Sequence, residues 1–200
     1  MGRPPTPLLS TDRITAAARQ LVDATGGFTM PELARTLQGS PSSLYNHVTG
    51  RDQIVELLRE RAMSGVQLPD DQSERPWTDV VAEVLRSYRR SYARYPRLIP
   101  LLTAYPVNSS HAISMYNMLA TPLRRAGFDA ADTLRAITLM DCFVLGSALD
   151  LAAPDEPWHS GEEVGPEFAE ALATGVGKRD RADDAFEYGL AALLRGLSAD

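Results

Sequence analysis

Residues 40–52, with the sequence SPSSLYNHVTGRD, bring several small hydrogen-bonding side chains close together. If the segment is helical from Pro41, an advance of about 100° per residue places Leu44, Tyr45 and Val48 along one apolar edge. The opposite side then presents Ser42, Ser43, Asn46 and His47. An asparagine amide can bond an adenine edge at two atoms, and serine and histidine can bond base edges or phosphates. The pattern therefore predicts contact with the major groove of DNA, the alternative being an ordinary solvated helix face.

Few other residues have the spacing that catalysis or metal binding requires. The single cysteine, Cys142, cannot form an internal disulfide, and the three histidines, His47, His111 and His159, lack metal-ligand spacing. Cys142 lies in the apolar run ITLMDCFVLG, which predicts a buried, inert thiol. We therefore expect no metal, no cofactor and no catalytic activity. A small helical enzyme or a redox sensor that uses Cys142 is the disfavoured alternative.

Three short helices are predicted to position the polar face. The first covers residues 11–25, where apolar residues recur at helical spacing until Gly26 and Gly27. The second follows the capping box Thr29-x-x-Glu32 and ends at Gln38-Gly39, and the third has Ser40 as N-cap and ends near residues 49–50. Three such helices, the last with an exposed polar face, are the arrangement of a helix-turn-helix.

Residues 29–58, TMPELARTLQGSPSSLYNHVTGRDQIVELL, resemble the DNA-binding signature of the TetR (tetracycline-repressor-like) transcriptional regulators. The resemblance implies a homodimer that binds a palindromic operator. It also implies DNA contacts from Thr29, Ser42, Ser43, Tyr45, Asn46, His47 and Arg51. Two positions depart from the family pattern: Leu37-Gln38-Gly39 stands where L-G-V is usual, and Arg51 stands where lysine is commoner.

The rest of the chain is also predicted to be helical, so the fold class is all-α. A fourth helix over residues 51–66 leads to a polar connection at 67–76, which divides a DNA-binding domain, 1–66, from an effector-binding and dimerisation domain, 67–200. Helices are expected at 77–95, 96–104, 109–126, 130–152, 161–174 and 181–197. No apolar run reaches the roughly 20 residues of a membrane span, and no export signal is evident at the N-terminus, so we expect a cytoplasmic protein.

The last predicted helix has two apolar stripes, one of large and one of small side chains. Small residues allow close helix packing, and the stretch FEYGLAALLRGL resembles the closing helix of the TetR fold. The resemblance implies that this helix pairs with its twin, together with the helix at 130–152, in a four-helix bundle. The predicted dimer interface comprises Ala185, Phe186, Gly189, Leu190, Leu193 and Gly196.

Aromatic and methionine side chains in the central helices suit a pocket for a small-molecule effector, although ordinary core packing explains them equally well. The candidates are Tyr92, Tyr105, Met115, Tyr116, Met118, Met140 and Asp141. Asp141 lies within an apolar stripe, where a carboxylate needs a partner. That partner is either Arg124 or Arg125, or a cation or hydrogen-bond donor of the effector.

The charge distribution is compatible with DNA binding at one end of the chain. The net charge is −6, but the first 66 residues contain seven arginines against six acids, so the acidic excess lies in the remainder. The sequence therefore predicts a ligand-responsive, DNA-binding regulator that acts as a repressor and is released by a small molecule. The alternatives are a regulator without an effector and one controlled by a partner protein.

Overall fold

The computed structural model describes residues 9–70, 74–154, 157–158, 164–174 and 180–198. Every regular element in these ranges is helical, which confirms the all-α prediction. The helices are α1 (Thr11–Thr25), α2 (Met30–Thr36), α3 (Pro41–Leu44), α4 (Arg51–Met63), α5 (Trp77–Tyr92), α6 (Ile99–Thr103), α7 (Ser110–Arg125), α8 (Ala130–Asp150), α9 (Pro166–Ala173) and α10 (Arg181–Leu197), with a 3-10 turn at Pro96–Leu98 before α6. We call α1–α3 the head and α5–α10 the body.

The head is held by helix caps, of which the glycine stop of α1 and the capping box of α2 are predicted from the sequence. The Ser10 hydroxyl accepts a hydrogen bond from the Arg13 amide at 3.3 Å, and α1 ends at Gly26, whose φ of 82° lies in the left-handed region. In the capping box of α2, the Glu32 carboxylate accepts the Thr29 amide at 2.9 Å, and the Thr29 hydroxyl accepts the Glu32 amide at 3.3 Å. These bonds satisfy amides that a helix start leaves unpaired.

The turn between α2 and α3 uses the unusual Gln38-Gly39 pair. Gln38, rather than the glycine, takes the left-handed conformation, with φ of 55°. Gly39 is needed for space, because a Cβ atom there would lie 2.9 Å from the Ser43 hydroxyl oxygen. Helix α2 ends at Thr36, two residues before the predicted end at Gln38-Gly39. The left-handed conformation of Gln38 is part of the turn and not of the helix.

Helix α4 lies between the head and the body. Its apolar side buries Ile54, Val55 and Leu58 in the same core that contains Ile14 of α1 and Leu85 of α5. The helix ends at Met63, three residues before the predicted end at Val66. Packing of α4 against α1 on one side and against α5, α6 and α7 on the other gives head and body one continuous core.

The body is built on the mutual packing of α5, α7 and α8, with α10 against α8. Polar contacts fix α10: the buried Arg89 of α5 donates to the Ser147 hydroxyl and the Ala182 carbonyl, both at 2.8 Å, and pairs with Asp183. Beside it, Arg86 makes a two-pronged pair with Glu187, at 2.8 and 2.6 Å. Within the described residues, no helix has both the length and the apolar character that crossing a bilayer requires.

Candidate nucleic-acid interface and the polar core behind it

The predicted recognition helix is shorter than the sequence analysis expects. It comprises Pro41–Leu44, followed by a turn, and does not continue to residue 49. Leu44 and Val48 are buried beneath it, and the Val48 amide still bonds the Leu44 carbonyl at 3.0 Å, so the turn continues the direction of the helix. The segment therefore keeps its polar face even though the regular helix is brief.

Four of the predicted DNA contacts form one exposed face: Ser42, Tyr45, Asn46 and His47. Tyr45 is 54% exposed, so its assignment to the packed apolar edge is wrong, whereas its predicted contact with DNA is sterically possible. Ser43 differs from the other four residues. Its hydroxyl donates to the Ser40 carbonyl at 2.6 Å and accepts the Ser40 amide at 3.2 Å, because it occupies the third position of a capping box. Its hydrogen-bonding capacity is thus already used by the helix itself.

The remaining two predicted contacts flank this face. The Thr29 hydroxyl is engaged with Glu32 at 2.7 Å. The Arg51 guanidinium, predicted to bind phosphate, donates to the Phe28 carbonyl at 3.3 Å and to the Tyr105 hydroxyl, and lies 5.1 Å from the centre of the Phe28 ring. Arg51 thus joins the start of α4 to the chain that follows α6. Tyr105, predicted to bind effector, is its partner here.

Three side chains of α4 bind the chain between α6 and α7, and we call Glu56, Arg59 and Glu60 the α4 polar face. Arg59 is only 5% exposed and donates to the carbonyls of Leu102 and Tyr105, at 2.8 and 3.0 Å. It also pairs with Glu56 at 3.0 Å, and the other Glu56 oxygen accepts the Asn108 amide at 2.8 Å. This face is not evident from the sequence, because most partners of Arg59 and Glu56 are backbone atoms far along the chain.

Glu60 completes the α4 polar face by capping α7. Its carboxylate accepts the Ser110 hydroxyl at 2.7 Å and the His111 amide at 3.3 Å, and also bonds the Ser109 hydroxyl and His111 Nδ1. Burial alone would raise the pKa of Glu60, but these hydrogen bonds outweigh it and lower the pKa to about 2. The first turn of α7 is therefore tied to α4 by a charged group.

Behind the α4 polar face lies a group of four side chains that we call the Tyr–Asp cluster: Tyr88, Tyr92, Tyr116 and Asp141. The Tyr116 hydroxyl donates to Asp141 at 2.7 Å, and Tyr88 lies near this carboxylate. Burial raises the pKa of Asp141, although the two tyrosines and the charge of Arg59 act in the opposite direction. Burial also raises the pKa of Tyr92 to about 12.

The cluster corrects the expected partner of Asp141. Arg124 instead donates to the Phe128 carbonyl, and Arg125 is exposed, so the predicted pair with either arginine is wrong. Tyr88 was not among the predicted residues, although its position four before Tyr92 on α5 places both rings on one face, with centroids 4.9 Å apart. Of the other predicted pocket residues, Met115 and Met140 are buried in the core and Met118 is half-buried.

The predicted dimer interface is partly inside the subunit. Phe186 and Leu190 are 2% and 1% exposed, because Phe186 stacks on Phe143 of α8 at 5.2 Å. A Cβ atom on Gly189 would lie 2.7 Å from the Phe143 ring, so this glycine permits contact within the subunit. Placing Phe186 and Leu190 at an interface between subunits is therefore wrong, whereas Ala185 and Gly196 are exposed and Gly189 and Leu193 are half-buried.

Another apolar surface is exposed on α8 and α10. On α8, Leu134 is 67% and Leu139 49% exposed, and on α10 Tyr188 is 77% exposed. Cys142 lies on the same side of α8, in a shallow depression with Leu134 and Leu139, so the prediction of a buried thiol is wrong. The apolar run around Cys142 is exposed on this side rather than uniformly buried.

Comparison with known proteins places the chain among regulators. Residues 68–200 match the family described as tetracyclin repressor-like, C-terminal domain. The chain is 30% identical over 165 residues to an HTH-type transcriptional regulator of Saccharopolyspora erythraea, covering 82% of this chain and 68% of that protein. It is 28% identical over 149 residues to an HTH-type transcriptional repressor of Streptomyces coeruleorubidus, covering 74% of this chain but only 55% of that relative.

A solved structure has the same fold over nearly its whole length. The crystal structure of the Streptomyces coelicolor TetR family protein ActR in complex with (S)-DNPA is 25% identical, with a TM-score of 0.73. The match covers 96% of this chain and 98% of the ActR chain.

Proposed function

Because this chain belongs to the TetR (tetracycline-repressor-like) family, we propose that it is a ligand-responsive transcriptional regulator that represses genes from a palindromic operator. One observation carries the proposal: α4 begins beside the exposed face of residues 42–47 and, through its polar face, binds the part of the body next to the Tyr–Asp cluster. A change in the body can thus alter the position of the head.

In the proposed complex, Asn46 and His47 contact base edges, while Ser42 and Tyr45 bind base edges or phosphates. Thr29, at the start of α2, contributes a phosphate contact only if phosphate replaces Glu32 as the partner of its hydroxyl. Arg51 contributes to DNA binding only if a phosphate replaces the Tyr105 hydroxyl as its hydrogen-bond partner. Ser43 acts indirectly, by capping the helix that carries the other residues.

The proposed regulator is a homodimer, because one short helix contacts few base pairs while two related by a twofold axis recognise a palindrome. We assign the interface to the exposed apolar surface of α8 and α10, including Leu134, Leu139 and Tyr188, with Ala185 and Gly196 at close approach. A large exposed apolar surface is typical of a protein interface.

The proposed effector site is the Tyr–Asp cluster with the neighbouring Met115, Met118 and Met140. ActR, a relative of the same fold, has been solved with the small molecule (S)-DNPA. An effector that favours a body conformation with the two heads wrongly spaced weakens operator binding. A hundredfold loss of affinity requires only about 3 kcal/mol of coupling.

We propose the division into a DNA-binding domain, residues 1–66, and an effector-binding and dimerisation domain, residues 67–200. The protein acts where the DNA is, in the cytoplasm, by binding rather than by catalysis. Its curated relatives are described as transcriptional regulators.

The test is binding of the purified protein to fluorescent DNA from the region upstream of its own gene. We expect a dimer bound to a palindromic segment, with affinity falling steeply as salt rises, because bound phosphates release counterions. A scrambled duplex of the same composition is the control. Equal affinity for both duplexes, or no dependence on salt, would contradict the proposal.

A further inference from the structure

The carboxylate of Asp141 is bonded to a neutral group in a partly buried position. The Tyr116 hydroxyl donates to it at 2.7 Å, and Tyr88 lies near it. Within the described part of the chain, no arginine or lysine forms an ion pair with Asp141. A partly buried carboxylate without a paired cation favours binding of a positively charged group.

Arg59, the arginine whose charge acts on Asp141, already has other hydrogen-bond partners. Arg59 acts on Asp141 only through space, while its N–H groups bond Glu56 and the carbonyls of Leu102 and Tyr105. Moving Arg59 to Asp141 would break the attachment of α4 to the body. Among the described residues, Arg59 is therefore not available to pair with Asp141, and a bound cation can supply the compensating charge.

The side chains around Asp141 fit an organic ammonium group. An ammonium supplies several N–H donors, so it can bond the carboxylate and replace the bond that Tyr116 now makes. The tyrosine rings add electron-rich faces, which attract cations. Tyr88 and Tyr92 are 3% exposed and can form the wall, whereas Asp141 and Tyr116 are half-buried and within reach of solvent.

We propose that Asp141, with Tyr88, Tyr92 and Tyr116, binds the ammonium group of an organic amine that acts as the effector. This inference rests on the proposed function, and it names the chemical class of the effector. An anionic ligand would be repelled by Asp141, and a neutral alcohol would replace the Tyr116 bond without compensating the charge.

The same site has a direct route to the DNA-binding head. Tyr92, whose pKa is raised by burial, lies close enough to Arg59 for the arginine to lower that pKa in part, and Arg59 donates to the carbonyls of Leu102 and Tyr105. An ammonium group that shifts Tyr92 changes the position of Arg59, and with it the position of α4. Because Tyr105 is also the partner of Arg51, the displacement reaches the start of α4 beside the head.

The experiment uses three probes with a similar skeleton and different charge: phenethylamine, phenethyl alcohol and phenylacetate. Their affinities for the full-length protein are measured by calorimetry at neutral pH, and each is then tested for release of operator DNA. We expect the amine to bind at least about tenfold more tightly than the alcohol, which corresponds to about 1.4 kcal/mol. We also expect that only the amine releases DNA. Equal binding of amine and alcohol, or no binding of the amine up to its solubility limit, overturns the inference.

Two variants test whether the preference for the amine over the alcohol depends on Asp141. Asp141→Asn keeps the shape of the side chain but removes its charge, so the preference for the amine should fall to less than about twofold. Tyr116→Phe keeps the carboxylate and the ring and removes only the competing hydroxyl, so the preference should be equal to or greater than that of the wild type. If Asp141→Asn fails to fold, Tyr116→Phe decides alone: loss of the preference in that variant overturns the inference.

Operator binding without any probe separates this inference from the proposed function. If the protein binds no palindromic DNA, the proposed function itself is wrong. If it binds DNA and the amine has no advantage over the alcohol, the regulator remains and only the assignment of Asp141 as an ammonium site is wrong.

Discussion

Replacing Glu60 by glutamine tests whether α4 is attached to the body by charge. Glu60 accepts hydrogen bonds from Ser109, Ser110 and His111 at the start of α7, and these bonds lower its pKa from 4.5 to about 2. Glutamine has nearly the same shape but no charge, and its amide group presents donors to other donors. We therefore expect Glu60→Gln to lower the free energy of unfolding near neutral pH.

The size of the loss follows from the pKa. A pKa lowered from 4.5 to about 2 corresponds to roughly 3 kcal/mol if the carboxylate were fully shielded from water. The Glu60 side chain is 32% exposed, so solvent screens part of this interaction. We expect a loss of about 1 to 2 kcal/mol, toward the lower end of what hydrogen bonds to a charged group contribute.

The pH dependence gives the sign of the effect. A carboxylate whose pKa is lower in the folded state stabilises the protein above its unfolded pKa, and this stabilisation is lost as pH falls through the folded pKa. The stability difference between wild type and Glu60→Gln should thus be largest near neutral pH. It should narrow between pH 4.5 and about pH 2, as Glu60 takes up a proton in the unfolded and then in the folded protein.

The assay is urea unfolding followed by circular dichroism at several pH values. Glu83→Gln is the matched control, because Glu83 forms an exposed ion pair with Arg75 and should change stability by no more than about 0.5 kcal/mol. The reasoning about Glu60 is refuted if both variants lose the same stability, or if the loss in Glu60→Gln does not depend on pH.

Three further substitutions test the other surfaces. Asn46→Ala should cost roughly 1 to 3 kcal/mol per half-site and relax discrimination at one base pair, whereas equal weakening on every sequence in a binding titration would make Asn46 a phosphate contact. Gly189→Leu should clash with Phe143 and lower the unfolding temperature of the subunit; a stable monomer in sizing chromatography would instead return Gly189 to the dimer interface. Leu134→Glu should give folded monomers that bind operator poorly, and an intact dimer in the same chromatography would remove α8 from the interface.

The sequence predicted the helices well because their ends are determined locally. The bounds of α1 and α10 agree with the prediction; α1 is ended by Gly26, and both helices have regular apolar spacing along their length. The third helix was predicted too long because helical spacing continues through Val48, while the regular α-helix ends at Leu44. Local pattern determines which side of a segment is apolar better than it determines where the helix stops.

The candidate site was predicted only in part, because its contacts join distant parts of the chain. Asp141 was found from its position within an apolar stripe, but its partner Tyr116 comes from another helix, 25 residues away in sequence. A helical wheel also shows two stripes on α10 without indicating which one faces the subunit. Phe186 was therefore assigned to the wrong side, and only packing against Phe143 resolves the question.

The bonds around α4 have a consequence for exchanging DNA specificity between relatives. The contacts that cross from the head to later residues are largely made to backbone carbonyls: Arg97 donates to those of Asp23 and Ala24, at 2.8 and 3.1 Å, and Arg51 donates to that of Phe28. Any grafted head with the same backbone supplies these acceptors. In contrast, Glu60 of the α4 polar face bonds the side chains of Ser109, Ser110 and His111, so these bonds depend on which residues begin α7.

A chimera joined immediately after Gly50 would therefore keep α4 with its own body and accept a foreign recognition segment. The apolar contacts between α1 and α4 would be replaced by others of similar shape, which cores tolerate at modest cost. A junction placed after α4, at the apparent boundary between the domains, would instead combine a foreign α4 with residues that it does not match. The segment that can be transplanted without losing control by the effector therefore ends at Gly50, before α4, although α4 packs with the head in one core.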